Sequence, residues 1–261
     1  MLNDNQYSSS SKYEARIYLH KTFSMNKQPK NAWIFEHFPK GENLKVLELG
    51  CGTGLFWLTN RNSIPKTWEI TLTDYSRGML ETTKKTLSRI QCNFNYDVVN
   101  AENIKYTKNS FDAILANNML YHIENRQKAI SDIYDILKPN GIFIASIMGI
   151  DDLKEMHELL YKFLETKGNL FKFSELKFSL NNGLEQLKKV FNNAVLINHE
   201  NALKINEIEP IINYYLSFNE IQNNTKILPE EYIDEFKEYL KKEIDKEMMV
   251  TKNDGIFVCT K

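Results

Sequence analysis

Three glycines stand at alternate positions, Gly50, Gly52 and Gly54, directly behind the apolar run KVLEL (45–49). The whole chain has only 10 glycines in 261 residues, so this clustering asks for a reason. Glycine has no Cβ: it adopts left-handed backbone angles and lets another group come close to the main chain. A tight turn that leaves a buried strand and enters a helix needs both properties. Its backbone N–H groups, with the helix N-terminus behind them, suit a polar or anionic group. The dinucleotide-binding spacing is G-x-G-x-x-G, and Leu55 stands where its third glycine would be. Glu48, two places upstream of Gly50, puts a carboxylate at the strand end beneath the turn.

The elements that must position this turn alternate from residue 44 to about 148. Strands are expected at 44–50, 68–74, 93–99, 111–117 and 141–149. Helices are expected after the glycine turn (55–60), at 76–90, where Met79, Leu80, Thr83, Leu87 and Ile90 share a face, and over the stripe Ala129, Ile130, Ile133, Tyr134 and Leu137, which KPNG stops. Alternating βα units imply a parallel sheet with right-handed crossovers and helices on both faces, with ligands at the carboxyl ends of the strands. The last third is more helical: amphipathic stretches around 153–163 and 184–191, then helices near 207–218 and 229–247, the second opening at Pro229. Strands are expected at 193–205 and 255–261. No linker or repeat divides the chain. It reads as one domain, with 1–40 an N-terminal helical lid, 41–150 the core, and 151–261 a C-terminal half with a helical cap and the last two strands.

With 42% apolar and 12% aromatic residues the chain can build a sizeable core. A formal charge of −1 gives no reason for non-specific attraction to nucleic acid or membrane. Cys51, Cys92 and Cys259 lie far apart, which argues against a zinc site or a disulfide framework, and no metal is expected. The polar N-terminus and the lack of a spanning apolar run point to a cytoplasmic protein.

VLELGCGTG resembles motif I of the class I S-adenosylmethionine-dependent methyltransferases, and the resemblance continues in order. LTDYSRGML (72–80) resembles the end of the family's second strand. The stretch 100–123 resembles its acid–Ala–Glu segment, its SFD strand start and its LxH segment behind the fourth strand. LKPNGIFIAS (137–146) resembles its turn into the fifth strand. The match runs from about Lys45 to Ser146 and is similar to small-molecule methyltransferases of the UbiE-like, methyltransferase type 11 group. The resemblance implies a doubly wound α/β fold with seven strands, mostly parallel, the last antiparallel beside the fifth and at a hairpin edge with 193–203.

It also implies S-adenosyl-L-methionine as cofactor, contacted by Glu48, Gly50, Cys51, Gly52, Asp74, Tyr75, Met79, Asn100, Ala101, Glu102 and Asn117. Asp74 ends its strand about 20 residues beyond the glycine turn, where a carboxylate can accept both ribose hydroxyls; its alternative is a helix N-cap. Glu48 would face the cofactor's ammonium or cap the turn. Members usually carry Asp where Asn100 stands, so the acceptor for the adenine amine keeps its carbonyl and loses its charge. His122 is the candidate base, or an orienting histidine, and Tyr121 beside it would contact the acceptor.

Methyl transfer from a sulfonium needs alignment and exclusion of water more than acid–base machinery. The [DN]-P-P-[YF] box of amine-methylating nucleic-acid enzymes is absent; Asn117-Asn118-Met119-Leu120 stands there. A small molecule is therefore the expected acceptor, with no nucleic acid or membrane partner and a monomeric or homodimeric state. Alternatives are a methyltransferase acting on tRNA or protein, or a non-catalytic S-adenosylmethionine-binding protein. In 13–38, Arg16 is expected to pair with the cofactor's carboxylate, and Tyr18, His20 and Phe23 to line the acceptor pocket under a lid.

Overall fold

The computed structural model describes residues 10–218 and 226–261, with side chains from Glu14 onward. In chain order the elements begin with α1 (Ser10–Phe23), α2 (Lys30–Phe35), β1 (Lys45–Leu49), α3 (Leu55–Thr59), β2 (Glu69–Asp74) and α4 (Arg77–Leu87). There follow β3 (Asn93–Val98), β4 (Phe111–Asn117), α5 (Arg126–Ile136), β5 (Leu137–Met148) and α6 (Lys154–Thr166). The chain continues with α7 (Gly183–Lys188), β6 (Asn193–Ile205), α8 (Glu209–Leu216), α9 (Ile233–Glu243) and β7 (Met248–Thr260). Short 3-10 turns occupy Leu120–His122 and Glu230–Tyr232.

The chain divides into two compact units. The sheet unit comprises Gln28–Ile150, Leu176–His199 and Asp254–Lys261; the helical unit comprises Met1–Lys27, Asp151–Glu175 and Glu200–Asn253. The chain passes between the units after Lys27, between α1 and α2, and again after Ile150, at the end of the central strands.

The seven strands lie in the order β3-β2-β1-β4-β5-β7-β6, with β1 to β5 parallel and β7 antiparallel to β5. Period-two alternation sends successive side chains of a strand to opposite faces. Leu47 and Leu49 of β1, with Ile114 and Ala116 of β4, pack into one buried layer with Ala129, Ile130 and Ile133 of α5. Val46, Ala113 and Leu115 enter the other with Phe35, Phe56, Trp57 and Trp68. Both faces of the central strands are covered, as a parallel sheet requires. In the helical unit, Leu19 and Phe23 of α1, Met156 and Leu160 of α6, Ile211 and Tyr215 of α8, and Phe236 and Leu240 of α9 form a separate core.

Two boundaries differ from expectation. The helix expected over 229–247 is a 3-10 turn followed by α9, which ends at Glu243, where Ile244 adopts extended backbone. β7 then starts at Met248, seven residues before the expected 255; burial of Val250 and pairing in the sheet outweigh the helix-favouring Lys and Glu residues there. β5 begins at Leu137, so KPNG ends α5 as expected but lies within the strand, with a register shift between Phe111 and Ala113 opposite it.

Candidate functional site

The turn after β1 holds Gly50, Gly52 and Gly54 at φ of +71°, +56° and +77°, a region in which L side chains are strained. A Cβ on Gly50 would meet Met119 Cβ at 3.1 Å, and one on Gly54 would meet Thr83 Cγ2 at 3.0 Å. A Cβ on Gly52 would meet nothing within 4 Å, so the middle glycine faces open space. The turn is tied down on every side. Cys51 N–H donates to Thr73 O (2.8 Å), and Gly54 N–H to Cys51 O (3.0 Å). Thr83 Oγ1 donates to Gly52 O (2.6 Å) and Gly52 N–H to Asp74 Oδ2 (3.0 Å).

Asp74 thus seats the turn while keeping lone pairs to spare. Its Oδ1 accepts from Ser76 N–H (2.8 Å), and Ser76, not Asp74, caps α4 by accepting from Met79 N–H (3.4 Å). Burial raises the Asp74 carboxyl above its ordinary value, opposed by those backbone donors. Glu48 lies beneath the turn. It is 1% exposed, and its Oε2 accepts from Trp57 Nε1 at 2.6 Å. Burial pushes its carboxyl up to about 8, the indole opposing and the Asp74 charge adding. It holds its proton at neutral pH beneath the turn. Cys51 is buried against Thr83 and its thiol is pushed far up by burial.

At the carboxyl end of β3, Asn100 is exposed and its Oδ1 accepts from Glu102 N–H (2.9 Å). Glu102, expected to flank the cofactor's base, directs its carboxylate elsewhere: Oε1 accepts from Glu124 N–H (2.7 Å) and Asn125 N–H (3.2 Å). The entrance of α5 has no side-chain cap from Asn125 itself, and Glu102 supplies one. Ala101 packs on the core beneath, while Met79 is half-buried and Tyr75 is 53% exposed.

Behind β4, Asn117 Oδ1 accepts from Ser146 Oγ of β5, and Asn118 N–H donates to Ser146 O and Oγ (both 3.1 Å). Asn118 takes φ +52°, which asparagine tolerates. Arg126 Nε donates to Leu120 O (2.9 Å). Between these ties the rings of Tyr121 and His122 lie 4.0 Å apart. His122 Nε2, Asn118 Oδ1 and Arg126 Nη2 are enclosed and have no hydrogen-bond partner among the described residues. Burial lowers the His122 imidazole below its ordinary value.

Arg16, Tyr18, His20 and Phe23 belong to the helical unit. The Arg16 guanidinium lies 5.0 Å from the Phe218 ring centroid, and His20 meets Tyr214 edge-on at 6.1 Å. Phe23 is a core residue, 6% exposed, whereas Tyr18 is 49% exposed and borders a depression of about 520 Å³ with Pro210 and Leu216. Sequence reasoning missed Trp57, Ser146 and Arg126. A tryptophan three residues beyond the glycine turn was the available signal for the first; the other two had none. Among the described residues no group of three metal-ligating side chains comes together and no helix is long and apolar enough to cross a membrane.

Residues 47–145 match the family described as Methyltransferase domain. The chain is 32% identical to the ubiquinone/menaquinone biosynthesis C-methyltransferase UbiE of Haemophilus ducreyi over 99 residues, which cover 37% of this chain and 38% of that protein. It is 29% identical to the demethylmenaquinone methyltransferase of Staphylococcus aureus strain MRSA252 over 170 residues, covering 60% and 69%. It is 31% identical to the malonyl-acyl-carrier-protein O-methyltransferase of Halalkalibacterium halodurans over 124 residues, covering 46% and 44%. The first and last of these matches span less than half of the relative's length. Among solved structures, the YcgJ protein of Bacillus subtilis has the same fold at a TM-score of 0.56 and 13% identity, over 88% of this chain and 97% of that one. So does the phosphoethanolamine N-methyltransferase 2 of Haemonchus contortus, at a TM-score of 0.56 and 19% identity, over 100% and 59%. Residues 47–145 match a methyltransferase domain, and over them the chain is similar to the class I S-adenosylmethionine-dependent methyltransferases.

Proposed function

We propose that the chain transfers a methyl group from S-adenosylmethionine to a small-molecule acceptor by direct displacement. The observation that carries this is the Asp74 carboxylate, fixed by Gly52 N–H and Ser76 N–H at the rim of a glycine turn whose middle residue faces open space. These residues fit the cofactor. A carboxylate offers about four acceptor sites; the two backbone bonds leave room for a pair of ribose hydroxyls. Gly50, Cys51 and Gly52 would hold the amino-acid end, with Glu48 supporting the turn from below and Asn117 facing it from β4. Tyr75, Met79, Asn100, Ala101 and Glu102 would surround the base.

When bound, the cofactor supplies an activated methyl carbon with a good leaving group; the chain aligns the acceptor and excludes water. His122 would take the proton of the accepting atom, and Tyr121 would orient the acceptor. Burial keeps the His122 imidazole neutral down to below its ordinary titration range, so it can accept a proton at neutral pH. Methylation of quinones and of malonyl-acyl-carrier protein by the relatives named above supports a small or carrier-borne acceptor. In the helical unit, the proposal extends to Arg16, Tyr18, His20 and Phe23 as cofactor or acceptor contacts, and it includes the reading of all 261 residues as one functional methyltransferase.

Calorimetry with S-adenosylmethionine and S-adenosylhomocysteine, followed by turnover across small acceptors, tests it. Asp74→Ala should remove contacts worth about 1.5–3 kcal/mol and weaken cofactor binding tenfold or more with the fold intact. Unchanged affinity in that variant, or binding of NAD in place of the sulfonium cofactor, would end the proposal. Binding without turnover on any acceptor would leave the non-catalytic reading.

A further inference from the structure

The geometry points to Glu102 as a positioning residue that couples the base side of the cofactor site to the segment carrying His122. The inference rests on the site assignment proposed above. Glu102 joins two regions that its carboxylate bridges across 22 residues of sequence. On one side its N–H is held by Asn100 Oδ1 at 2.9 Å, and Ala101 links the two. On the other its Oε1 accepts both Glu124 N–H and Asn125 N–H, the donors that open α5. Lys128 Nζ, one turn into that helix, donates to Glu102 O at 3.1 Å, so main chain and side chain of Glu102 are both bound to α5.

The segment so held is short and otherwise tied only at a few points. Asn118 N–H is fixed on Ser146, and Leu120 O on Arg126 Nε, whose side chain reaches Gln186 Oε1 at 3.4 Å. Met119 packs against Gly50, where even a Cβ would come within 3.1 Å. Tyr121 and His122 therefore ride on an arm that touches the glycine turn through Met119 and the Asn100–Glu102 loop through the Glu102 carboxylate. Ordering of that loop by a bound base would be passed to the backbone of the arm through Glu102 Oε1 and its two charge-assisted hydrogen bonds, since the Lys128 contact reaches only a flexible side chain. Three polar atoms along the arm, on Asn118, His122 and Arg126, have no partners among the described residues. Fixing the arm therefore fixes the groups that await an acceptor. A helix cap alone would stabilise α5 equally with and without cofactor; coupling shows only in the difference.

The test is amide hydrogen exchange over 118–126 with and without saturating S-adenosylhomocysteine. In the unmodified protein, ligand should slow exchange at Glu124 and Asn125 and across Asn118–Ile123 by about tenfold. Glu102→Ala should abolish that ligand-dependent gain. Glu102→Asp, which keeps the charge but falls short of the two N–H groups, should do the same and guards against misfolding of the alanine variant. Glu102→Gln, which keeps an acceptor at the same reach, should restore it. Ligand binding with unaltered exchange over 118–126, or a full gain in the aspartate variant, would overturn the coupling alone. Absence of any ligand binding in the unmodified protein would overturn the cofactor assignment and the coupling with it.

Discussion

The glycine turn and the arm behind β4 meet at Gly50 and Met119, yet they are built on opposite principles. In the turn, the N–H groups of Cys51, Gly52 and Gly54 and the carbonyl of Gly52 all have partners within the protein. Along the arm, Asn118 Oδ1, His122 Nε2 and Arg126 Nη2 are enclosed without partners among the described residues. Buried polar groups left unpaired cost stability, and their concentration on one segment marks it as shaped for something other than folding. On the function proposed above, the turn would be a cradle closed by its own hydrogen bonds, and the arm would offer its unpaired groups to an acceptor.

This contrast can be broken at three places. The largest effect is expected beneath the turn. Glu48 holds its proton up to about pH 8 in the folded protein but ionises near 4.5 when unfolded. The folded state therefore binds more protons between those values, and its stability falls as pH rises through that window, levelling off above about pH 8. The whole span is worth on the order of 4–5 kcal/mol. Glu48→Gln keeps an acceptor for Trp57 and should flatten this slope, so that urea unfolding finds the variant more stable than the unmodified protein above neutrality and similar near pH 4. A difference independent of pH would mean that Glu48 is charged in the fold. Next comes Gly54→Val, which combines a left-handed backbone with a Cβ 3.0 Å from Thr83 Cγ2 and should cost about 2–4 kcal/mol in the same assay. A near-neutral outcome would show that the turn is looser than its hydrogen bonds imply. The smallest effect belongs to the arm. Asn118→Gly relieves a positive φ and removes an enclosed, unpaired carbonyl, so it should raise stability by about 0.5–1 kcal/mol while lowering turnover. A loss of stability would mean that the Asn118 side chain serves the fold.

Much of the sheet was legible in advance because its strands are bounded by local signals: the glycines at 50–54, the Asp74 that ends β2, and KPNG behind α5. The end of α9 was not, because EEYIDEFKEYLKKEIDKE continues a helical charge pattern to Glu247 and only the burial of Val250 in a strand overrides it. Around the turn and behind β4, the residue types proposed for the site can be named from the chain alone. Their partners cannot. That Trp57 would take Glu48, that Ser76 would relieve Asp74 of capping, and that Glu102 would reach across to Glu124 and Asn125 are contacts between elements, set by packing rather than by spacing along the chain.

The bond between Trp57 and Glu48 has one more consequence. The chain has three tryptophans, and among the described residues only the indole N–H of Trp57 donates to a carboxyl group; that of Trp68 goes to the carbonyl of Gly41. Indole emission is sensitive to charge brought against the ring, so gain or loss of the Glu48 proton is written into the colour and yield of Trp57 light. The floor of the glycine turn thereby carries its own optical probe, readable in the unmodified protein without a label.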